Sequence, residues 1–166
     1  NAELISREVR RLMQPPLNLK PRAPDNSLVT AAIQAIADSY DPEHGGVGFD
    51  PARPHAPKFP TPPKLALLQH AAQGPDHQAA AQIVEHTLEA IAAGGIRDHL
   101  GGGFHRYSTD REWLVPHFEK MLYDQAQLAS LYIEAFERTG ERRYREVAEG
   151  TLDFVLRELT DPEGGF

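Results

Sequence analysis

The chain has 166 residues, of which 40% are hydrophobic and 25% charged, which is typical of a globular domain large enough to bury a core. It contains no cysteine, which excludes a disulfide framework, a thiolate metal site and a cysteine nucleophile. The net charge of −7 argues against nucleic-acid binding, because phosphate recognition needs a basic surface. With no apolar run near the roughly 20 residues of a membrane span and no signal-peptide pattern, we expect no membrane partner and a cytoplasmic location.

Hydrophobic residues recur with helical periodicity along nearly the whole chain. The predicted helices span residues 4–13, 27–40, 61–72, 75–93, 116–138 and 141–159. Thr61 is the predicted N-cap of the third helix, Pro116 opens the fifth, and Gly94-Gly95 and Gly140 end the fourth and fifth, the glycine pair as a left-handed cap. Prolines in residues 15–24 indicate an extended linker, so we divide the chain into residues 1–26, a short helix and linker, and 27–166, a helical domain.

A glycine-rich motif follows three of the predicted helices. It reads Asp-Pro-Glu-His-Gly-Gly at Asp41, Asp-His-Leu-Gly-Gly-Gly-Phe at Asp98 and Asp-Pro-Glu-Gly-Gly-Phe at Asp161. Successive copies are about 60 residues apart, which indicates a repeating unit of two helices and a loop that must stack on its neighbours. This pattern fits an α/α toroid, a ring of helical hairpins with their loops at one end. Because the chain stops at Phe166, inside the third copy, we expect an incomplete ring that self-associates through uncovered helix faces.

Residues 94–127 are unusually dense in ionisable and aromatic side chains, a pattern that favours the lining of a small-molecule pocket. His105 and His117 are candidate acid–base groups because histidine titrates near neutral pH. The glycines 101–103 do not form a phosphate loop, since no Gly-Lys-Ser/Thr follows them, and they are also compatible with an ordinary tight turn.

A helix that starts at Pro116 would hold His117 and Glu119 in its first turn. At 100° per residue, His117, Lys120 and Asp124 would then share one face, with an ionisable cluster at the end of an apolar stripe. The alternative is structural: His117 caps a loop, and Lys120 and Asp124 form an ordinary i,i+4 pair.

The sequence predicts no metal and no cofactor. The spacing of His99, His105, His117 and Glu119 matches no zinc signature, and no Gly-x-Ser-x-Gly nucleophile elbow is present. Lys58 lies in the corresponding loop of the preceding unit, which makes it a candidate for the same pocket.

One family shares the motifs of this sequence. Residues 94–125, GGIRDHLGGGFHRYSTDREWLVPHFEKMLYDQ, together with YDPEHGG at 40–46 and PKFPTP at 57–62, closely resemble the spermatogenesis-associated, thioredoxin-domain-containing proteins. The resemblance extends over about residues 27–166. It implies an N-terminal thioredoxin-like domain joined to a C-terminal toroid similar to the six-hairpin glycosidases and the N-acylglucosamine and cellobiose 2-epimerases.

The resemblance therefore implies an all-α, incomplete, six-hairpin glycosidase-like toroid with a sugar-like ligand and a thioredoxin-like neighbour. We expect part of a carbohydrate-active domain, epimerase- or isomerase-like, that is inactive on its own. The expected catalytic residues are His105, His117, Glu119 and Asp124, and the expected substrate-binding residues are Arg106, Tyr107, Trp113, Lys120, Tyr123 and Lys58. Two alternatives stay open, a non-catalytic ligand- or partner-binding module and a polar cluster that only braces the loop. A glycosidase would need two carboxylates at a defined separation.

Overall fold

The computed structural model describes residues 2–13, 25–74 and 78–166. These residues form six α-helices and no named strand, which confirms the all-α prediction. The helices are α1 (Ala2–Met13), α2 (Asn26–Ala37), α3 (Pro62–Ala71), α4 (Gln78–Ala93), α5 (Leu122–Thr139) and α6 (Arg142–Glu158). The predicted linker at 15–24 lies outside the described residues. Within the three described ranges, no helix is both long and apolar enough to cross a membrane.

Helices α2 to α6 pack around one core, with α3 and α4 and then α5 and α6 as helical hairpins, whereas α1 buries no residue. α5 lies along α6, and α3 packs against α2, α4 and α5. The core includes Leu88 and Tyr132, both fully buried, and the Tyr132 hydroxyl donates to the Leu88 carbonyl at 2.7 Å. The long loops 38–61 and 94–121 meet at an antiparallel bridge between Lys58 and Ser108. The fold therefore brings together the two loops that hold the predicted site residues.

The glycines that follow α4 and α5 act in different ways. Gly140 has φ 72°, and its N–H donates to the Phe136 carbonyl at 2.8 Å, so it ends α5 as a left-handed cap. The prediction that Gly94 and Gly95 form such a cap is wrong, because neither has a positive φ. They must lack side chains for another reason. A Cβ on Gly94 would lie 2.6 Å from the Trp113 carbonyl oxygen, and one on Gly95 would overlap the neighbouring Leu114 carbonyl.

The first two glycine-rich motifs form the same turn, and the third forms a version that is one residue shorter. In the first, the Asp41 N–H donates to the Gly46 carbonyl at 3.0 Å, and the Gly45 N–H donates back to the Asp41 carbonyl at 2.9 Å. The equivalent bonds in the other turns join Asp98 with Gly102 and Gly103, and Asp161 with Gly164 and Gly165. Both glycines of each turn have positive φ, which glycine adopts without steric cost. The repeat in the sequence is thus also a repeat in the structure.

A buried carboxylate ties the two long loops together. Asp41 Oδ2 accepts from Lys58 Nζ at 2.9 Å and from Arg111 Nε at 2.8 Å, while Oδ1 accepts from Arg111 Nη2 at 2.7 Å. The ammonium of Lys58 also lies 4.8 Å from the centre of the Trp113 ring. We call Asp41, Lys58, Arg111 and Trp113 the Asp41 knot. Burial alone would raise the pKa of Asp41, but the hydrogen bonds from Arg111 and Lys58 outweigh it and hold this pKa well below its usual range.

The second turn has a similar cation. Asp98 Oδ2 accepts from Lys120 Nζ at 2.8 Å, and the same ammonium donates to the Gly102 carbonyl at 2.8 Å. It lies 4.1 Å from the centre of the Phe154 ring, as Lys58 lies over Trp113. The hydrogen bond from Lys120 is the main cause of the lowered pKa of Asp98. Lys58 and Lys120 are therefore equivalent braces, each holding a turn to the segment that follows it.

The segment before α5 is extended and not helical. The His117 N–H donates to the Tyr107 carbonyl at 2.9 Å, and the Arg106 N–H donates to the Glu119 carbonyl at 2.8 Å. The second bond occupies the Glu119 carbonyl, which in a helix from Pro116 would accept from the Tyr123 N–H, and α5 begins at Leu122 instead. The predictions that His117 and Glu119 lie in a first helical turn, and that His117 shares a helical face with Lys120 and Asp124, are wrong.

The Asp41 knot should dominate the stability of the loop end. Asp41→Asn leaves Lys58, which is 8% exposed, without its counter-charge, and we expect a loss of about 3 kcal/mol in the free energy of unfolding. Urea denaturation at pH 7 measures this loss. Because folding lowers the pKa of Asp41, its contribution is present above about pH 4 and declines as the pH falls below that value.

Asp161→Asn is the matched control, since Asp161 has the same place in the third turn and is exposed. We expect this variant to stay within about 0.5 kcal/mol of the unsubstituted chain. Equal effects of the two substitutions would contradict the role assigned to the knot.

Candidate functional site

Three extended segments lie side by side where the two long loops meet. Ser108 is fully buried and forms antiparallel bridges with Lys58 on one side and Pro116 on the other. Its N–H donates to the Lys58 carbonyl at 2.9 Å, and the Lys58 N–H donates to the Ser108 carbonyl at 2.8 Å. Because the three segments are in register, the residues next to these bridges also become neighbours.

Those neighbouring residues are Phe59, Tyr107 and His117, which stack in one row. The ring centroids of Phe59 and Tyr107 are 4.6 Å apart, and those of Tyr107 and His117 are also 4.6 Å apart. We call this row the aromatic ridge. Phe59 is 45% exposed and the His117 side chain 46%, so the ridge presents ring surface to solvent. Contiguous exposed aromatic surface of this kind is typical of a surface that contacts a ligand or a partner.

An ion pair connects the ridge to a second group of side chains. Glu119 Oε2 lies 3.7 Å from His117 Nδ1 and accepts from Arg106 Nη1 at 3.0 Å. The pKa of Arg106 is raised, first by this hydrogen bond and then by the nearby Tyr123 phenol. We call Arg106, Glu119, Tyr123 and Asp124 the Arg106 cluster. Both partners of the ion pair are about 40% exposed, so its role is to position side chains more than to stabilise the fold.

Asp124 is the most perturbed carboxyl group of the cluster. It lies in the first turn of α5 and is 6% exposed, and its Oδ2 has no hydrogen-bond partner among the described residues. Burial raises the pKa of Asp124 to about 6, while the charge of Arg106 opposes the rise and that of Glu119 adds to it. This carboxyl group can therefore exchange a proton near neutral pH.

His105 is the second acid–base group, and its side chain is half-buried. Its Nδ1 is buried and without a partner in the part of the chain that the structure describes. Burial, followed by the positive charge of Lys120, lowers the pKa of His105, so the imidazole is neutral at pH 7. The ring packs edge-on against Phe118 at 5.2 Å, and Phe118 is 81% exposed.

Three of the predicted site residues hold the loops in place: Trp113 and Lys58 belong to the Asp41 knot, and Lys120 braces the Asp98 turn. Trp113 is 1% exposed, and its Nε1 donates to the His44 carbonyl at 2.9 Å, so the indole has no free face for a sugar. A Cβ on Gly46 would lie 2.8 Å from the Trp113 ring, which shows how closely the indole is covered. The ammonium groups of Lys58 and Lys120 donate to the aspartates of the turns described above, Asp41 and Asp98. The structure thus groups His117, Glu119, Arg106, Tyr107, Tyr123 and Asp124 and separates these three.

A cavity of about 340 Å³ adjoins the ridge. It is lined mainly by the first long loop, with Phe59 at the edge that it shares with the ridge, and Arg111 is the contribution of residues 94–127. Sequence reasoning did not select Phe59, Phe118 or Asp41. Their signals are weak, since an aromatic beside prolines is usually packing and an Asp before glycines is usually a turn. No three His, Asp or Glu side chains of the described ranges are arranged to hold a metal ion.

Sequence comparison gives the chain its relatives. It is 51% identical to human spermatogenesis-associated protein 20 over 139 residues, which cover 81% of this chain and 17% of the human protein. The chain is a homologue of part of spermatogenesis-associated protein 20. The mouse protein is 49% identical over the same length, and an uncharacterised Caenorhabditis elegans protein is 40% identical over 134 residues, 77% of this chain. The chain spans 17% of each of these relatives, and no protein-family model matches it.

Three sugar epimerases are among the solved structures that share this fold. The cellobiose 2-epimerase of Spirochaeta thermophila superimposes with a TM-score of 0.71 at 21% identity, over 85% of this chain and 38% of the epimerase. That of Bacillus thermoamylovorans gives 0.69 at 17% identity, over 84% and 39%, and a sugar epimerase from a ruminal bacterium gives 0.67 at 15%, over 82% and 39%. The α/α toroid fold and the resemblance to the spermatogenesis-associated proteins are thereby confirmed.

The raised pKa of Asp124 should be visible in the stability of the chain. A carboxyl group whose pKa rises on folding makes the folded state bind its proton more strongly, so stability falls as the pH rises from about 4 to about 6. We expect the free energy of unfolding of the unsubstituted chain to fall by about 2 kcal/mol relative to that of Asp124→Asn over this interval. Above pH 7 the difference should not change further. Urea denaturation at several pH values measures the difference.

Asp153→Asn serves as the control, because Asp153 is exposed on α6. Its pH profile should run parallel to that of the unsubstituted chain. If the Asp124→Asn profile did the same, the carboxyl group would have an ordinary pKa, and its selection as an acid–base group would be wrong.

Proposed function

We propose that the toroid domain to which this chain contributes binds a sugar-like molecule and epimerises or isomerises it. One observation supports this most: the exposed aromatic ridge is linked through Glu119 to a buried carboxyl group with a pKa of about 6. The link runs from His117 to Glu119, from Glu119 to Arg106, and from the charge of Arg106 to Asp124. The toroid fold shared with sugar epimerases adds the reaction class by analogy.

The reaction class needs proton transfer at carbon. In the open-chain form of an aldose, the proton on C2 is acidic because C1 is an aldehyde. A base removes this proton to give an enediolate, and an acid returns a proton to C2 from the opposite face to give the epimer. If the proton returns to C1 and the C2 hydroxyl proton passes to the C1 oxygen, the product is a ketose. No electron acceptor is consumed, so the groups required are an acid–base pair and a cation near the oxygen that becomes negative.

The chain has groups suited to each role. Asp124, with its pKa near 6, and His105, neutral at pH 7, are the acid–base candidates. Arg106 is the cation beside Asp124 and suits the enediolate oxygen. The aromatic ridge would hold the ring of the sugar, with His117 and Glu119 donating to or accepting from its hydroxyls.

The full-length protein is the right object for a test, since the chain spans 17% of its relatives. The resemblance implies that this protein also contains a thioredoxin-like domain, and we propose that domain as the neighbour of the toroid. The experiment incubates the full-length protein with cellobiose or glucose in D2O and follows the C2 proton by NMR. We expect the C2 signal to decrease as solvent deuterium replaces the proton. Asp124→Asn should slow this exchange by about a hundredfold, the usual cost of losing a general acid–base group.

Asp153→Asn provides the matched control for the exchange experiment, since it removes an exposed carboxylate on α6 and should exchange at the unsubstituted rate. Exchange that is equally fast in Asp124→Asn would remove Asp124 from the mechanism. An absence of C2 exchange with both cellobiose and glucose would contradict the proposed epimerase or isomerase activity.

The ridge makes a separate prediction about binding. Phe59→Ala removes the outer ring of the stack, and we expect the dissociation constant for a bound sugar to rise about tenfold, or about 1.4 kcal/mol. Saturation-transfer NMR or calorimetry measures this. Phe166→Ala, which removes a ring that is 72% exposed in this chain and lies outside the ridge, should leave the constant unchanged.

Binding and turnover together separate the two candidate functions. Sugar binding that needs Phe59 but brings no C2 exchange would favour the non-catalytic ligand-binding module. Unchanged binding in Phe59→Ala would show that the ridge is not the sugar platform.

A further inference from the structure

The cavity beside the ridge contains a strained residue at the start of α3. Thr61 occupies the N-cap position, as the sequence predicts, but its φ of 45° and ψ of 56° are left-handed, and its hydroxyl makes no capping bond. A β-branched residue rarely adopts this conformation, because its Cβ crowds the backbone. Thr61 lines the cavity, and its Oγ1 is buried without a partner among the described residues. Strain and an unsatisfied hydroxyl at one residue are typical of a functional position.

The cavity lining is positively charged, whereas the chain as a whole is negatively charged. Its lining includes the cations Arg53, Lys58, Lys64 and Arg111 and one carboxylate, Asp50, on a chain with net charge −7. Asp50 is paired with Arg53 at 2.8 Å. Lys58 and Arg111 share the single buried carboxylate of Asp41, with Glu43 as a second, largely exposed partner of Arg111.

Lys64 is the cation of the cavity lining that has no carboxylate partner among the described residues. It forms no ion pair with any described residue, and its Nζ lies 3.6 Å from where a Cβ on Gly48 would be, across the cavity. It stands in the first turn of α3, which contains no acidic residue. A lysine at the positive end of a helix is unfavourable on its own, so an anion bound there would relieve the repulsion.

Backbone donors of α3 do not fill this role. Pro62 and Pro63 have no N–H, and the Lys64 N–H donates to the Thr61 carbonyl at 3.0 Å. The donors available to a ligand at this end of α3 are therefore side chains, the Thr61 hydroxyl and the Lys64 ammonium. Two guanidinium N–H groups of Arg111 also stay outside its three bonds to Asp41 and Glu43.

We propose that this cavity is a subsite for an anionic group, a phosphate or a carboxylate, carried by the sugar that lies on the aromatic ridge. Phe59 belongs to both the ridge and the cavity lining, so one ligand can reach both. Lys64 supplies the charge, and rotation of the Thr61 side chain would turn its buried, unsatisfied hydroxyl toward the anion. The sugar part of this inference rests on the proposed function, whereas the anion subsite rests on the cavity itself.

The test uses the full-length protein and calorimetry at low ionic strength, where charge interactions are least screened. The probes are inorganic phosphate, glucose, glucose 6-phosphate and glucuronate. We expect phosphate alone to bind, and at least one anionic sugar to bind about tenfold more tightly than glucose. Lys64→Met should abolish this preference, and Thr61→Val should reduce it. Arg142→Met, which removes an 89% exposed cation on α6, should preserve it.

Each result decides the matter in one direction. A preference for glucose 6-phosphate over glucuronate identifies a phosphate group, and the opposite preference identifies a carboxylate. Equal affinity for glucose and both anionic sugars, or equal effects of Lys64→Met and Arg142→Met, overturns the subsite. C2 exchange without any anion preference overturns this inference alone, and phosphate binding without exchange overturns the proposed function alone.

Discussion

The buried carboxylate of Asp41 is the constraint on which the loop end depends. Two cations from different loops, Lys58 and Arg111, share its oxygens, and the Trp113 indole covers the Lys58 ammonium. A buried charge with excellent geometry is costly to break, because removal of one partner leaves the others desolvated and uncompensated. The loops are thereby locked together, and the bridge between Lys58 and Ser108 follows from that lock. The aromatic ridge exists because this bridge sets the register of Phe59 against Tyr107.

The repeated turns explain why a high density of charged residues does not by itself locate the functional site. The Asp98 turn is held by Lys120 and Phe154 much as the Asp41 turn is held by Lys58 and Trp113. The first two repeating units thus each use an aspartate, a lysine and an aromatic ring to attach the loop. These residue types are also those of a binding site. Part of the ionisable density in residues 94–127 therefore maintains the fold, and the site is what is left after the braces are assigned.

The sequence was sufficient for the helices and the repeat, because these depend on local periodicity and on glycines with positive φ. It was insufficient where distant segments compete for backbone groups. Pro116 is a good first-turn residue, yet the carbonyl of Tyr107 takes the His117 N–H and keeps the segment extended. Gly95 has the position of a helix cap, but the nearby Leu114 carbonyl is what forbids its side chain. Trp113 carries no sign in the sequence that its indole will be covered by Gly46 and Lys58. The pairing of His117 with Tyr107 and of Glu119 with Arg106 also joins segments whose proximity is not visible in the local sequence pattern.

Buried polar atoms without hydrogen-bond partners mark the positions at which the structure is not optimised for stability alone. Buried polar atoms without partners occur in Thr61, His105 and Asp124 at the loop end and in Gln69 and Arg138 elsewhere within the described residues. The three at the loop end lie beside rigid braces, so the knots can hold them in positions that would otherwise relax or fill with a neighbour. They include a hydroxyl, an imidazole and a carboxyl, which together can donate, accept and transfer protons. A purely structural loop would gain stability by replacing them with apolar groups, and this supports the proposal that they take part in the chemistry of the site.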